Sequence, residues 1–152
     1  WRQVGFHSSC DRWMKEFKIL SDVISLQSIS AMMENNGIGA RSVFEGIVRN
    51  TNDGHEVKKL EYECYESLAI KEGDQILDEA IEKFDLIDAF CIHRVGTLEI
   101  GETAVIVVTT SGHRDQSFKG CRYIIDEVKC RVPIWKKEHY ADGETEWLKG
   151  AG

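Results

Sequence analysis

The chain has 152 residues, 42% apolar and 30% charged, with a formal net charge of −7. Length and composition fit one globular domain that buries about 70% of its unfolded surface, and exclude collagen-like, low-complexity and disordered chains. The acidic balance argues against broad contact with nucleic-acid phosphates, and the longest strictly apolar run, Ala104–Val108, is far short of the ~20 residues of a membrane helix.

Residues 1–16 show little periodicity and read as an N-terminal extension or the end of an upstream module, with the domain proper at 17–152. The first five residues lack the apolar core of a signal peptide. Residues 17–24 read as a strand and turn. A short helix is expected next, with Leu26, Ile29 and Met33 at helical spacing and Asn35-Asn36-Gly37 as its stop. Arg41–Val48, rich in Val, Ile and Phe, reads as a strand, and Asn50–Gly54 as a turn. In Val57–Tyr65 the residues Leu60, Tyr62 and Cys64 alternate with Glu61 and Glu63, the pattern of a half-buried strand. Ile76, Leu77, Ala80, Ile81 and Phe84 form the apolar stripe of a helix over residues 66–84. Ala89–Val95 and Ala104–Thr110 are apolar strands, the second fully buried. Residues 115–130 form another amphipathic helix, with Cys121, Ile124, Ile125 and Val128 on one face. Pro133 stops it, and an irregular tail follows. This mixture of hairpins and crossovers indicates an α+β fold.

The five cysteines contain no Cys-x-x-Cys pair, and the histidines at 7, 55, 93, 113 and 139 have no metal-ligand spacing. They read as reduced thiols in a cytoplasmic protein with no metal and no resident cofactor. A phosphate loop, a dinucleotide fingerprint and a Gly-x-Ser-x-Gly elbow are absent. Cys130 has a cationic neighbour in Lys129 but no histidine partner, which argues against a thiol nucleophile. Trp135 and Trp147 read as packing residues.

The informative stretch is His113–His139, where seven Lys/Arg face four acids inside an acidic protein. Such a patch suits a pocket for an anionic ligand; a solvated helix face is the plainer explanation of the same charges. His113 and Arg114 open the helix, where free N–H groups favour anions. Lys129 lies on its last turn, and Lys136 and Lys137 follow Pro133. A lysine crowded by Arg131 and Lys136 would have its charged form disfavoured, the property of a proton-transfer group or nucleophile. Arg49, at a strand end, can add an anion contact.

Several segments, in order, resemble one family. They are Phe44-Glu45-Gly46-Ile47-Val48-Arg49-Asn50, Leu60-Glu61-Tyr62-Glu63-Cys64-Tyr65, Ile92-His93-Arg94-Val95-Gly96 and Ser111-Gly112-His113-Arg114. The most specific is Lys129-Cys130-Arg131-Val132-Pro133-Ile134-Trp135-Lys136-Lys137-Glu138. Over residues 17–150 the chain resembles the large, catalytic subunit of molybdopterin synthase, the MoaE family. That resemblance implies an α/β hammerhead fold with an additional antiparallel β subdomain. It implies a homodimer that becomes a heterotetramer with a small ubiquitin-like, MoaD-type subunit. The small subunit's thiocarboxylated C-terminus would deliver sulfur to cyclic pyranopterin monophosphate, forming the molybdopterin dithiolene. The implied catalytic residues are Lys129 and Lys136, and the implied substrate contacts are Val48, Arg49, His113, Arg114, Arg131, Lys137 and Glu138. Two departures stand out: Ile47 occupies a position where relatives often carry a polar or basic residue, and Gly112 replaces a usual alanine. The competing expectation is a non-catalytic module that binds a ubiquitin-like tail or a phosphorylated ligand.

Overall fold

The structure is a computed structural model that describes residues 2–4, 13–30, 35–143 and 145–149. Expectations that fall on Cys10 and Met33 lie outside the described residues. In chain order the first elements are β1 (Arg2–Val4), β2 (Trp13–Leu20), α1 (Leu26–Ser30), β3 (Ala40–Ile47), β4 (Thr51–Asn52), β5 (His55–Cys64) and α2 (Glu66–Phe84). They are followed by β6 (Asp88–Arg94), β7 (Gly96–Glu99), β8 (Thr103–Ser111), α3 (Arg114–Arg131), β9 (Ile134–Tyr140) and β10 (Thr145–Lys149).

The strands form two sheets. The first has the order β1-β2-β6-β8-β3 and is antiparallel except for the parallel pair β2 and β6. The second is antiparallel, in the order β10-β9-β5-β4, with β7 also paired to β5. The α+β class expected from the sequence, with its added antiparallel sheet, is the observed architecture.

Strand β6 is buried along its whole length and β8 from Ala104 onward, with side chains alternating between two cores. Ala89, Cys91, Val105 and Val107 join the core that includes Ile76, Leu77, Ile124 and Val128 of α2 and α3. Phe90, Ile92, Ile106 and Val108 face the opposite way and pack against Ile24 and Ile29. The second sheet closes the larger core with Val57, Leu60, Tyr62, Leu98 and Ile134. No helix among the described residues is long and apolar enough to cross a membrane.

Two boundaries differ from the sequence reading. Strand β2 begins at Trp13, so position 17 lies inside a strand, and its earlier half is anchored by Lys15. That side chain is buried, with Nζ 2.9 Å from Asp74 and 2.6 Å from Asp78 on α2. After Pro133 the chain is not irregular; it forms the hairpin of β9 and β10. The sequence Ile-Trp-Lys-Lys-Glu-His-Tyr hides its period because polar residues stand on both faces.

Candidate active site

The two sheets meet α3 around one pocket of about 220 Å³. Its walls come from the end of β3 and the following turn, the middle of β5, the start of β8, the last turn of α3, and β9. Lys129 and Lys136 both line it, together with Val48, Arg49 and Glu138. Five of the residues implied by the sequence resemblance therefore converge.

Local structure explains each placement. Val48 is buried, and its backbone is fastened on both sides: N–H donates to Glu102 O at 2.9 Å, and its carbonyl accepts from Gly101 N–H at 2.8 Å. That clamp sets the exit of β3 and leaves the neighbouring Arg49 exposed at the rim. Lys129 is carried by the last turn of α3, which ends with Val132 N–H donating to Val128 O before Pro133. Lys136, Glu138 and Tyr140 are alternate residues of β9 and share its inward face.

Glu138 is 2% exposed and is the only carboxylate among the lining residues. Tyr140 Oη donates to its Oε2 at 2.6 Å. Asn52 Nδ2 donates to both oxygens, at 3.0 and 2.8 Å. Lys136 Nζ lies 3.3 Å from Oε1. Burial opposes the charged form of Glu138, but the donors Tyr140 and Asn52 and the Lys136 charge outweigh it and hold the carboxyl below its ordinary range. Tyr62, also in the wall, has its phenol pushed up to about 12, first by burial and then by the Glu138 charge. It stays a neutral hydroxyl at physiological pH. The lining thus carries the cations Arg49, Lys129 and Lys136 against one carboxylate that is already fully engaged. Its net character is positive, which suits an anionic ligand.

The other expected contacts lie elsewhere on the chain. Arg131 is turned toward α2, where Glu72 and Glu79, together with Glu127 of α3, hold its guanidinium at 2.6–3.2 Å. Its charge is neutralised there, so it neither reaches the pocket nor crowds Lys129. Lys137 is on the opposite face of β9, with Nζ 5.3 Å from the ring centre of Trp147. His113 and Arg114 are exposed at the opposite end of α3, about 22 Å from Lys129 at 1.5 Å per residue. The expected anion site there is partly used by the helix itself, since His113 N–H donates to Gln116 Oε1 at 3.3 Å. Trp135 and Trp147, expected in packing, are 37% and 45% exposed. Cys130 is exposed and outside the pocket lining. Burial pushes the thiols of Cys91 and Cys121 up, so neither is a nucleophile.

Ile47 is 57% exposed on the pocket wall and contributes no polar group there. A side chain at Gly112 would meet nothing within 4 Å, so glycine in place of alanine is neutral at that position. Asn52, Tyr62 and Tyr140 were not singled out as site residues from the sequence. The spacing of Lys136, Glu138 and Tyr140 is the signal that would have found Tyr140, once β9 is read as a strand.

Residues 19–131 match the family described as MoaE protein. The chain belongs to the MoaE family. The molybdopterin synthase catalytic subunit of Pyrococcus abyssi is 41% identical over 126 residues, covering 83% of this chain and 84% of the relative. The crystal structure of molybdopterin synthase from Staphylococcus aureus superposes with a TM-score of 0.81 at 36% identity, covering 87% of this chain and 96% of that one. A protein–protein complex of subunits 1 and 2 of molybdopterin-converting factor from Helicobacter pylori contains the same fold, with a TM-score of 0.67 at 20% identity. This MoaE chain is thus an enzyme component of molybdopterin synthesis, within molybdenum cofactor biosynthesis.

Proposed function

We propose that this MoaE chain is the sulfurtransferase subunit that converts cyclic pyranopterin monophosphate to the molybdopterin dithiolene. Sulfur would come from the thiocarboxylated C-terminus of a small ubiquitin-like subunit. The observation that carries this reading is the convergence of Lys129, Lys136 and Arg49 on one pocket whose carboxylate is already engaged. Arg49 and Lys136 are suited to a phosphate and to charge that develops during transfer. Lys129 is exposed at the end of α3, where it can meet an incoming tail and substrate together. It is assigned proton transfer or covalent participation. The protein needs no cysteine of its own, because the partner delivers the sulfur. The free thiols of Cys64, Cys91, Cys121 and Cys130 support a reducing, cytoplasmic setting.

His113 and Arg114 cannot touch the ligand held by Lys129 of the same chain, because α3 separates them. Their assigned substrate contact therefore requires a second copy. A groove of about 560 Å³ between β3 and α3 is lined by Val43, Phe118, Ile125 and Lys129. Val43 and Phe118 are 42% and 61% exposed, and β3 is the edge of its sheet. A second copy laying its own α3 antiparallel on this groove would carry its His113 and Arg114 toward Lys129. The heterotetramer then has two composite sites.

The test is reconstitution with a thiocarboxylated small subunit and cyclic pyranopterin monophosphate, reading the dithiolene after oxidation to its fluorescent pterin. Wild type forms product. Lys129→Ala loses at least about a hundredfold in rate, the scale of a removed acid–base group, with an unchanged circular dichroism spectrum. Turnover retained by Lys129→Ala would defeat the assignment.

A further inference from the structure

We propose that Tyr140 and Asn52 are positioning residues for Lys136, acting through Glu138. The inference rests on the sulfur-transfer reading for its kinetic test alone.

Lys136 carries its ammonium on a flexible four-carbon stem, and ordering such a stem costs roughly 2 kcal/mol of rotamer freedom. Its side chain is 14% exposed, and its salt-bridge partner in the pocket is Glu138 Oε1 at 3.3 Å. A carboxylate as buried as Glu138 would be neutral if its oxygens lacked donors, and a neutral Glu138 would not hold the ammonium. Tyr140 and Asn52 supply those donors from two directions. Tyr140 comes from the same face of β9, two residues on, and Asn52 from β4, the short strand paired with the start of β5. Asn52 faces both carboxylate oxygens, so its amide must present nitrogen. Both partners belong to the second sheet: Asn52 on β4 reaches past β5 to the carboxylate on β9.

The groups that bear on Glu138 are Lys136 and Tyr140 from β9, Asn52 from β4 and Tyr62 from β5. Arg49 and Lys129 share its pocket, and the His55 ring lies 5.7 Å from that of Tyr140. Removal of a donor disfavours the carboxylate, so Glu138 takes up its proton at higher pH.

The experiment uses Tyr140→Phe, which deletes one oxygen, and Asn52→Ala, each alone and combined with Glu138→Gln. Turnover of cyclic pyranopterin monophosphate with the thiocarboxylated partner is followed against pH. The Glu138 carboxyl is titrated by carbon NMR, assigned by its loss in Glu138→Gln. Each single variant is expected to lose about tenfold in kcat, with KM little changed. The acid limb of its profile and the carboxyl titration move upward by about one pH unit. In the Glu138→Gln background neither variant costs anything further. The inference is overturned if the losses multiply in that background, or if the carboxyl titration stays in place while only thermal stability falls. Should the wild type form no product, the sulfur-transfer reading fails, and the carboxyl titration alone decides the positioning inference.

Discussion

Arg131 makes its contacts with a row of acids on the two long helices: Glu72 and Glu79 on α2, and Glu127 one turn earlier on α3. Tyr123 adds a hydrogen bond to Glu79 at 2.7 Å. Chiefly through the Arg131 hydrogen bonds, the Glu79 carboxyl is pulled down to about 2. A depressed carboxyl stabilises the fold above its unfolded value of about 4.3, and that stability is lost as pH falls from there toward 2. Arg131→Met should therefore lower stability by about 2 kcal/mol at neutral pH and flatten the acid side of the stability profile, as read by urea unfolding at several pH values. Turnover should be affected far less than in Lys129→Ala. Arg131 sits two residues from Lys129 in a segment dense with cations, and sequence spacing alone groups the two. On a helix, however, residues two apart point in different directions, and the acids of α2 that claim Arg131 are 59 and 52 positions away in sequence. That Lys129 and Lys136 share a pocket was legible because their motif is specific. Asn52 was visible only as part of a turn, since nothing local announces a partner on β9.

At the scale of elements, periodicity carried the reading wherever one face was apolar. The stripes of α2 and α3 and the continuous burial of β8 are as the sequence predicts. It failed at β9, whose inward residues serve a polar pocket, and at β2, whose buried Lys15 looks like a surface residue until Asp74 and Asp78 are placed beside it. The contact of β2 with α2 is close. Phe17 lies flat against Gly73, and a methyl group there would overlap its ring. Alanine usually favours a helix over glycine by about 1 kcal/mol, but overpacking costs about 1–3 kcal/mol. Gly73→Ala should consequently lower the melting temperature in differential scanning calorimetry despite its better helix propensity. A rise would show that β2 can yield without loss.

At the scale of the molecule, the pocket is a seam. The β3 exit and β8 belong to one sheet, β5 and β9 to the other, and Lys129 arrives on the helix between them. The proposed dimer groove shares Lys129 with that seam and lies beside it. Phe118→Asp would place a charge in the groove, and sedimentation should show a shift from dimer to monomer. Dithiolene formation should fall with it, because the second copy's His113 and Arg114 leave. A Phe118→Asp variant that stays dimeric would move the interface elsewhere.

The strand order has a consequence for the time at which the enzyme can exist. Strand β2 pairs with β6 across some seventy residues, and β5 with β9 across a similar span. Neither pairing is available to a short nascent chain, and folding dominated by such distant contacts is slow. Lys136, Glu138 and Tyr140 all belong to β9, so a ribosome must have released residues 134–140 before the pocket's lining is complete. Until then the cavity that Arg49 and Lys129 line lacks β9, and a chain interrupted just after α3 would carry one of the two proposed catalytic lysines without the other.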